Sequence, residues 1–313
     1  MAVIGGIKFV LDRAYKSFQK KTMKKFVISL LALGMVGALR AQEKTDTTYW
    51  TKQGVAGINM SQVSLSNWSA GGDASIAGDV NFAYSLNYKK DKTLWQNRLE
   101  LAYGLNRTDA NGTRKTNDKI YLNSMYGYKI AENWYVTAFV NFQTQFDKGY
   151  KYNGDNTRTL LSQFMAPGYL SAGPGITWTP KPWFTATFSP ATWRGTFVMS
   201  DNLSDQGAFG VNPGKHLRSE FGGDLKLEAK YEFLENMTVY SRLELFSNYL
   251  DQPQNVDVRW DTQVAMKINK WFSANLNLNL VYDDDVKIPQ SDGTSGPRIQ
   301  FKEVLGVGFQ VNF

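Results

Sequence analysis

The feature that most constrains this chain is a strict two-residue alternation of side-chain character. At the end of the chain Leu305, Val307, Phe309, Val311 and Phe313 alternate with Gly306, Gly308, Gln310 and Asn312. One segment earlier, Phe272, Ala274, Leu276, Leu278 and Leu280 alternate with Ser273, Asn275, Asn277 and Asn279. Successive side chains of a strand point to opposite faces, so this pattern specifies strands with one apolar and one polar face. Period alone does not say which face is inside. A soluble barrel fills its interior with apolar side chains, whereas a membrane barrel turns them outward.

The N-terminal segment bears on that choice. Residues 1–41 hold eight of the 35 basic residues and one of the 28 acidic ones, so the whole net charge of +7 resides there and the remainder is neutral. A neutral body has no electrostatic means of collecting phosphates, which argues against nucleic acid as a partner. Met23, Lys24 and Lys25 lead into an apolar run from Phe26 to Leu39, followed by Arg40 and Ala41. This reads as a secretory signal cleaved after Ala41, with residues 1–22 as a misassigned start or a long leader before Met23. Beyond residue 41 no apolar stretch reaches the roughly 20 residues of a membrane helix. An exported chain of alternating, aromatic-rich strands is expected to be an integral barrel of the outer membrane.

Twelve segments carry the strand pattern: 54–65, 73–88, 93–107, 117–130, 134–147, 169–179, 183–199, 219–233, 237–250, 256–269, 271–283 and 299–313. The connections alternate between short and long. Long ones fall at 108–116, 148–168, 200–218, 251–255 and 284–298, with 66–72 shorter. Bacterial barrels have an even number of strands, short periplasmic turns and long extracellular loops. The expected fold is all-β: a closed antiparallel transmembrane β-barrel of about twelve strands. Its expected parts are a leader and signal over 1–41, a periplasmic N-terminal segment over 42–53 and the barrel over 54–313. Trp95, Trp134, Trp178, Trp183 and Trp271 all lie beside short turns, as an aromatic girdle at the periplasmic interface requires. Pro190 interrupts a strand and marks a bulge, since proline cannot donate to the ladder.

Several blocks resemble the outer-membrane barrel family known as domain of unknown function 3078. They are Ser61-Gln62-Val63-Ser64-Leu65-Ser66-Asn67-Trp68-Ser69-Ala70-Gly71-Gly72, Thr144-Gln145-Phe146, and Gly207-Ala208-Phe209-Gly210-Val211-Asn212-Pro213-Gly214-Lys215. Leu245-Phe246-Ser247-Asn248-Tyr249-Leu250 and Pro253-Gln254-Asn255-Val256-Asp257-Val258 complete the set, so that the resemblance runs over nearly all of 50–313. It implies a fold class and a location, and no activity. A C-terminal strand ending on Phe313 resembles the signal read by outer-membrane assembly machinery.

Chemistry-bearing motifs are sparse. The single histidine, His216, has Ser219 three residues on, which an extended strand would turn to the opposite face; Ser200 or Ser204 could approach it from the preceding strand. Asp283 and Asp285 share a strand face and carry oxygen donors of the kind calcium takes, but too few for a cage. With no cysteine, thiolate metal sites and thiol nucleophiles are excluded. No catalytic, cofactor-binding or metal-ligating set is expected, and the chain is not expected to be an enzyme. The basic and aromatic stretch Lys148-Gly149-Tyr150-Lys151-Tyr152 is expected to pack over the barrel mouth.

The inward positions carry the most information. Asp224, Lys226 and Glu228 share one strand face, as do Arg242 and Glu244 on the next and Asp257, Arg259 and Asp261 on the one after. Arg98, Glu100 and Arg194 join them from other strands. Pairing Phe233 with Met237 across the turn at Leu234-Asn236 sets Glu228 opposite Arg242 and Lys226 opposite Glu244. Opposite charges facing across an antiparallel pair are favourable. Mixed signs in a narrow lumen predict a paired network rather than an ion filter, which would carry rings of one sign. Three functions compete: a narrow channel or transport barrel for small hydrophilic solutes, a structural or assembly component that binds a protein partner, and, as the outsider, a hydrolase. Outer-membrane lipid and the assembly machinery are the expected partners.

Overall fold

The computed structural model describes residues 49–63, 75–108, 111–153, 157–289 and 294–313. The expected leader over 1–41, most of the segment 42–53 and the connection 66–72 lie outside the described residues.

Twelve strands close into one barrel. They are β1 (Trp50–Val63), β2 (Ser75–Lys90), β3 (Thr93–Thr108), β4 (Gly112–Ala131), β5 (Trp134–Thr144), β8 (Gly168–Lys181), β9 (Phe184–Phe197), β10 (Leu217–Leu234), β11 (Met237–Asn248), β12 (Val256–Lys267), β13 (Phe272–Tyr282) and β16 (Gln300–Asn312). Two hairpins sit in the long connections: β6 (Gly149–Tyr152) with β7 (Arg158–Ser162), and β14 (Ile288–Pro289) with β15 (Ser295–Gly296). Each barrel strand pairs antiparallel with the next one in the chain, and β16 returns to β1. Each of the twelve expected segments corresponds to one barrel strand.

The outer surface settles which face meets lipid. Along β5, Trp134, Val136, Ala138 and Val140 are exposed while Tyr135, Thr137, Phe139 and Asn141 between them are buried. On β16 the exposed apolar set is Phe301, Leu305, Val307, Phe309 and Val311. A barrel that turns leucine, valine and phenylalanine outward and asparagine, threonine and charge inward has the polarity of a membrane barrel, not of a soluble one. The five girdle tryptophans are all exposed. Trp134 and Trp178 stack at 5.8 Å, and Trp50 adds a ring 5.8 Å from Trp95. Three outward indoles, Trp95 of that set and Trp193 and Trp260 elsewhere on the wall, find serine acceptors on the neighbouring strand: Trp95 with Ser124, Trp193 with Ser219 and Trp260 with Ser241. An N–H facing hydrocarbon needs such a partner because lipid supplies none.

Several local expectations are corrected. β1 begins at Trp50, ahead of the expected strand start at 54. Residues 108–116 do not form a long loop: β3 and β4 stay paired up to Thr108–Gly112, which leaves three residues between the strands. Gly112 adopts φ +66, and Asn111 N–H caps onto Thr108 Oγ1 at 3.0 Å, which is what allows the chain to reverse so sharply. Near the β10–β11 turn Met237 pairs with Leu234 rather than Phe233, and a register shift between Glu232 and Leu234 restores the expected pairing. The bulge expected at Pro190 is present. Registers to β8 and to β10 both slip across 189–192, giving β9 one extra residue there.

The long connections build a cap at one end. Ala166, Val198, Leu203 and Val211 are fully buried against one another, with Leu160, Ala208 and Phe209 packed on them. They come from the 163–168 connection, the end of β9 and a short helix α1 (Asp201–Asp205) with the 3-10 turn after it. Lys148 to Tyr152 enters β6, where Tyr150 lies under Arg158 and Tyr152 under Arg114, each at 4.3 Å.

Candidate functional site

The barrel interior is the site, and the β10–β11 register assembles it. Glu228 lies opposite Arg242 and Lys226 opposite Glu244, as the sequence predicts. Lys226 Nζ is 3.8 Å from Glu244. Arg242, however, donates to Asp261 on β12 at 2.6 Å, and Glu228 instead accepts from the Tyr240 hydroxyl at 2.7 Å. The expected Glu228–Arg242 ion pair is therefore replaced. Arg242 also faces Asp261 in the β11–β12 register, and that carboxylate receives Asn279 as well, at 2.7 Å.

The remaining expected residues join the same interior. Arg98 and Lys119 hold the two oxygens of Glu100 at 2.5 and 2.6 Å. Arg194 meets Asp257 at 2.5 Å. Arg259 stands opposite Glu244 and lies 5.3 Å from the Tyr169 ring. Asp224 is buried beside Lys226, with one carboxylate oxygen lacking a hydrogen-bond partner. Many of these contacts join strands that are not neighbours in the wall. Arg194 reaches from β9 to β12, Arg98 lies over the Tyr240 ring from β3 to β11, and Lys226 lies over Phe139 from β10 to β5. Such contacts can only cross the lumen.

Inward aromatic rings were missed in the sequence. Arg242 stacks over Tyr121 at 4.5 Å and Arg194 over Phe246 at 3.7 Å. A cation taken out of water is stabilised by a ring face as well as by a carboxylate. The only sequence signal was parity: Phe139 and Tyr121 lie in phase with polar neighbours such as Asn141 and Asn123. Lys119 and Arg218 were also missed. Arg218 gathers Glu220 at 3.2 Å, Asp283 at 3.7 Å and Asp285 at the loop end of the barrel. The two aspartates considered for calcium thus face a guanidinium. Burial pushes the Asp285 carboxyl above its ordinary range, and Arg218 opposes that shift.

His216 sits in the cap. Its Nδ1 lies 2.7 Å from Val198 O and its Nε2 3.5 Å from Asp201. Ser219 accepts from Trp193, and Ser204 donates to Lys215 O. None of these bonds joins the histidine to a serine.

The lumen is filled unevenly. Toward β5, β8 and β9 it is packed with Tyr121, Phe139 and a run of buried hydroxyls, Thr177, Thr187 and Ser189. Toward β1, β2, β13 and β16 a cavity of about 160 Å³ remains. Its wall carries Asn59, Asn81, Asn275, Asn277 and Asn279, with four basic and three acidic side chains. That is room for several water molecules among amides and charges.

A closed barrel, apolar outside and polar within, defines an integral outer-membrane β-barrel protein. Residues 60–150 match the family described as Protein of unknown function (DUF3078), the family the sequence resembles. Residues 169–294 match a second family, Protein of unknown function, DUF481. No curated protein matches the chain. Among solved structures it is similar to the COG4313 outer membrane channel from Pseudomonas putida F1, at 11% identity over 87% of this chain and 100% of that one, with a TM-score of 0.38. The translocator domain of the autotransporter NalP from Neisseria meningitidis is 9% identical over 92% of this chain and 96% of its own, with a TM-score of 0.36. The NanC porin is 9% identical over 83% and 100%, with a TM-score of 0.37. The class rests on the barrel itself and not on these distant likenesses.

Proposed function

We infer that this barrel is a narrow, non-catalytic passage for small hydrophilic solutes. The observation that carries the reading is the lumenal cavity of about 160 Å³, walled by amides and by charges of both signs. Amides exchange hydrogen bonds with neutral polar solutes, and paired charges leave little field to sort ions. The packed half of the lumen limits the free cross-section. The outward apolar belt suits outer-membrane lipid. The buried cap of Ala166, Val198, Leu203 and Val211 favours a second reading, in which an ordered outer surface binds another protein.

Reconstitution into planar bilayers and sugar-loaded liposomes separates the two. A passage gives small, discrete conductance steps with weak cation–anion preference, together with sugar efflux. Silent bilayers and sugar-tight liposomes would overturn the passage and leave the interaction protein. A strongly ion-selective pore would overturn the reading of the paired lumen.

A further inference from the structure

The charges on the cavity wall are taken up by groups of the wall itself. Arg98 and Lys119 share Glu100, and Arg242 holds Asp261. Asp79 accepts amide protons from Asn59 and Asn117 at 3.5 and 2.8 Å, and Lys302 Nζ donates to Asn117 Oδ1 at 3.1 Å. Asn279 donates to Asp261. An ion entering this cavity has to break one of these contacts to make its own, after giving up water to get there.

The hydrogen-bonding capacity that remains is neutral. Asn81, Gln263 and Asn277 line the same cavity, and among the described residues none of the three side-chain amides has a hydrogen-bond partner. Gln263 and Asn277 stand directly opposite each other in the β12–β13 register. Their Cβ atoms are therefore about 5 Å apart, side by side on one wall. Asn81 belongs to β2, with β1 and β16 between it and that wall. It pairs with Gly57, and a Cβ on Gly57 would come within 2.6 Å of Asn81 Oδ1. The glycine leaves the amide room to fold back over β1.

Each free amide offers two N–H donors and a carbonyl acceptor, so its best match is a group that both accepts and donates. A hydroxyl does both, a carboxylate only accepts and an ammonium only donates. Ala83 and Val304 add small apolar surface to the same wall, which suits the C–H faces between hydroxyls. We propose that the cavity is a binding site for a neutral polyhydroxylated solute, a polyol or sugar, held by Asn81, Gln263 and Asn277. This names the solute class of the passage and rests on that reading for the route by which the solute arrives.

Glucitol, gluconate and glucamine share a carbon skeleton and differ in charge, so they serve as probes. Each is radiolabelled and brought to equilibrium with the full-length barrel in nanodiscs. Wild type is expected to bind glucitol saturably and the two charged analogues at least about tenfold more weakly. Asn277→Leu and Gln263→Met keep the side-chain size and remove the amide, and each is expected to weaken glucitol binding about tenfold. Asn277→Asp is expected to lose glucitol and gain glucamine, a change of preference that a misfolded barrel does not give. No saturable glucitol binding by wild type, equal binding of a charged analogue, or unchanged glucitol affinity in both amide-free variants would each overturn the proposal. So would an unaltered preference in Asn277→Asp. Glucitol efflux from liposomes is measured in parallel. Efflux without saturable binding sinks the site and leaves the passage, and saturable binding without efflux sinks the passage and leaves the site.

Discussion

Arg242 Nη2 lies 2.6 Å from Asp261, although Arg242 has a carboxylate opposite it on each neighbouring strand. The choice of Asp261 over Glu228 follows from what else surrounds each acid. Glu228 is satisfied by the Tyr240 hydroxyl, while Tyr121 holds the guanidinium from across the lumen. The network is therefore a set of interlocked pairs and rings, and its members should respond to substitution unequally.

Removing one partner of this buried pair should be costly. Arg242→Ala leaves the Asp261 carboxylate without its cation in a mostly enclosed space and is expected to destabilise the barrel by about 3–5 kcal/mol. Combining Arg242→Met with Asp261→Leu should recover much of that loss. Urea unfolding in lipid vesicles measures both. A larger loss in the double variant than in the single one would show that the pair is not what Arg242 stabilises.

Backbone approach at the β10–β11 interface sets a steric test. A Cβ on Gly222 would run into the Ser247 carbonyl and come within 3.0 Å of the Phe246 ring, whereas one on Gly78 meets nothing within 4 Å. Gly222→Ala is expected to cost about 1–3 kcal/mol, as overpacking does. Gly78→Ala should stay within about 0.5 kcal/mol of wild type. The temperature at which the barrel loses its compact electrophoretic mobility ranks the two, and equal values would contradict the packing.

The lipid-facing indole of Trp260 donates to Ser241 Oγ at 2.9 Å, and Ser241 shares a hydroxyl contact with Thr262 at 3.0 Å. Ser241→Ala strands that N–H in hydrocarbon and should cost about 1 kcal/mol. Trp260→Phe removes the need for the acceptor, so Ser241→Ala added to it should cost little. Additive losses would place this wall outside the hydrocarbon.

Orientation can be read with introduced thiols. Lys151→Cys in β6 should react with an impermeant maleimide on intact cells, and Glu132→Cys in a short turn should not. Reversed labelling would invert the barrel. Sequencing the same protein is expected to find Gln42 at the mature N-terminus, and retention of Met23–Leu39 would refute the cleavage.

What the sequence determined by itself is local. Alternation at Leu305–Phe313 or Phe272–Leu280 follows from the two-residue repeat of any strand, so strand number, strand position and the inward parity of Lys226, Glu244, Arg242 and Asp261 were legible without coordinates. The bulge at Pro190 and the exposed tryptophans beside short turns were legible for the same reason, since each depends on its own backbone or its nearest turn. The tight Thr108–Gly112 turn was not, because a strand running past the hydrophobic belt loses the lipid face that makes alternation visible. Only closure of the barrel decided the rest. Parity cannot say that Arg194 meets Asp257, that Arg242 prefers Asp261, or that Phe139 and Tyr121 plug one side while the asparagines of β13 leave the other hollow. Those contacts cross a lumen whose width and stagger come from all twelve strands at once. The seam that pairs Val55–Asn312 through Asn59–Gly308 belongs there too, because it joins residues far apart in the sequence, and nothing local brings them together.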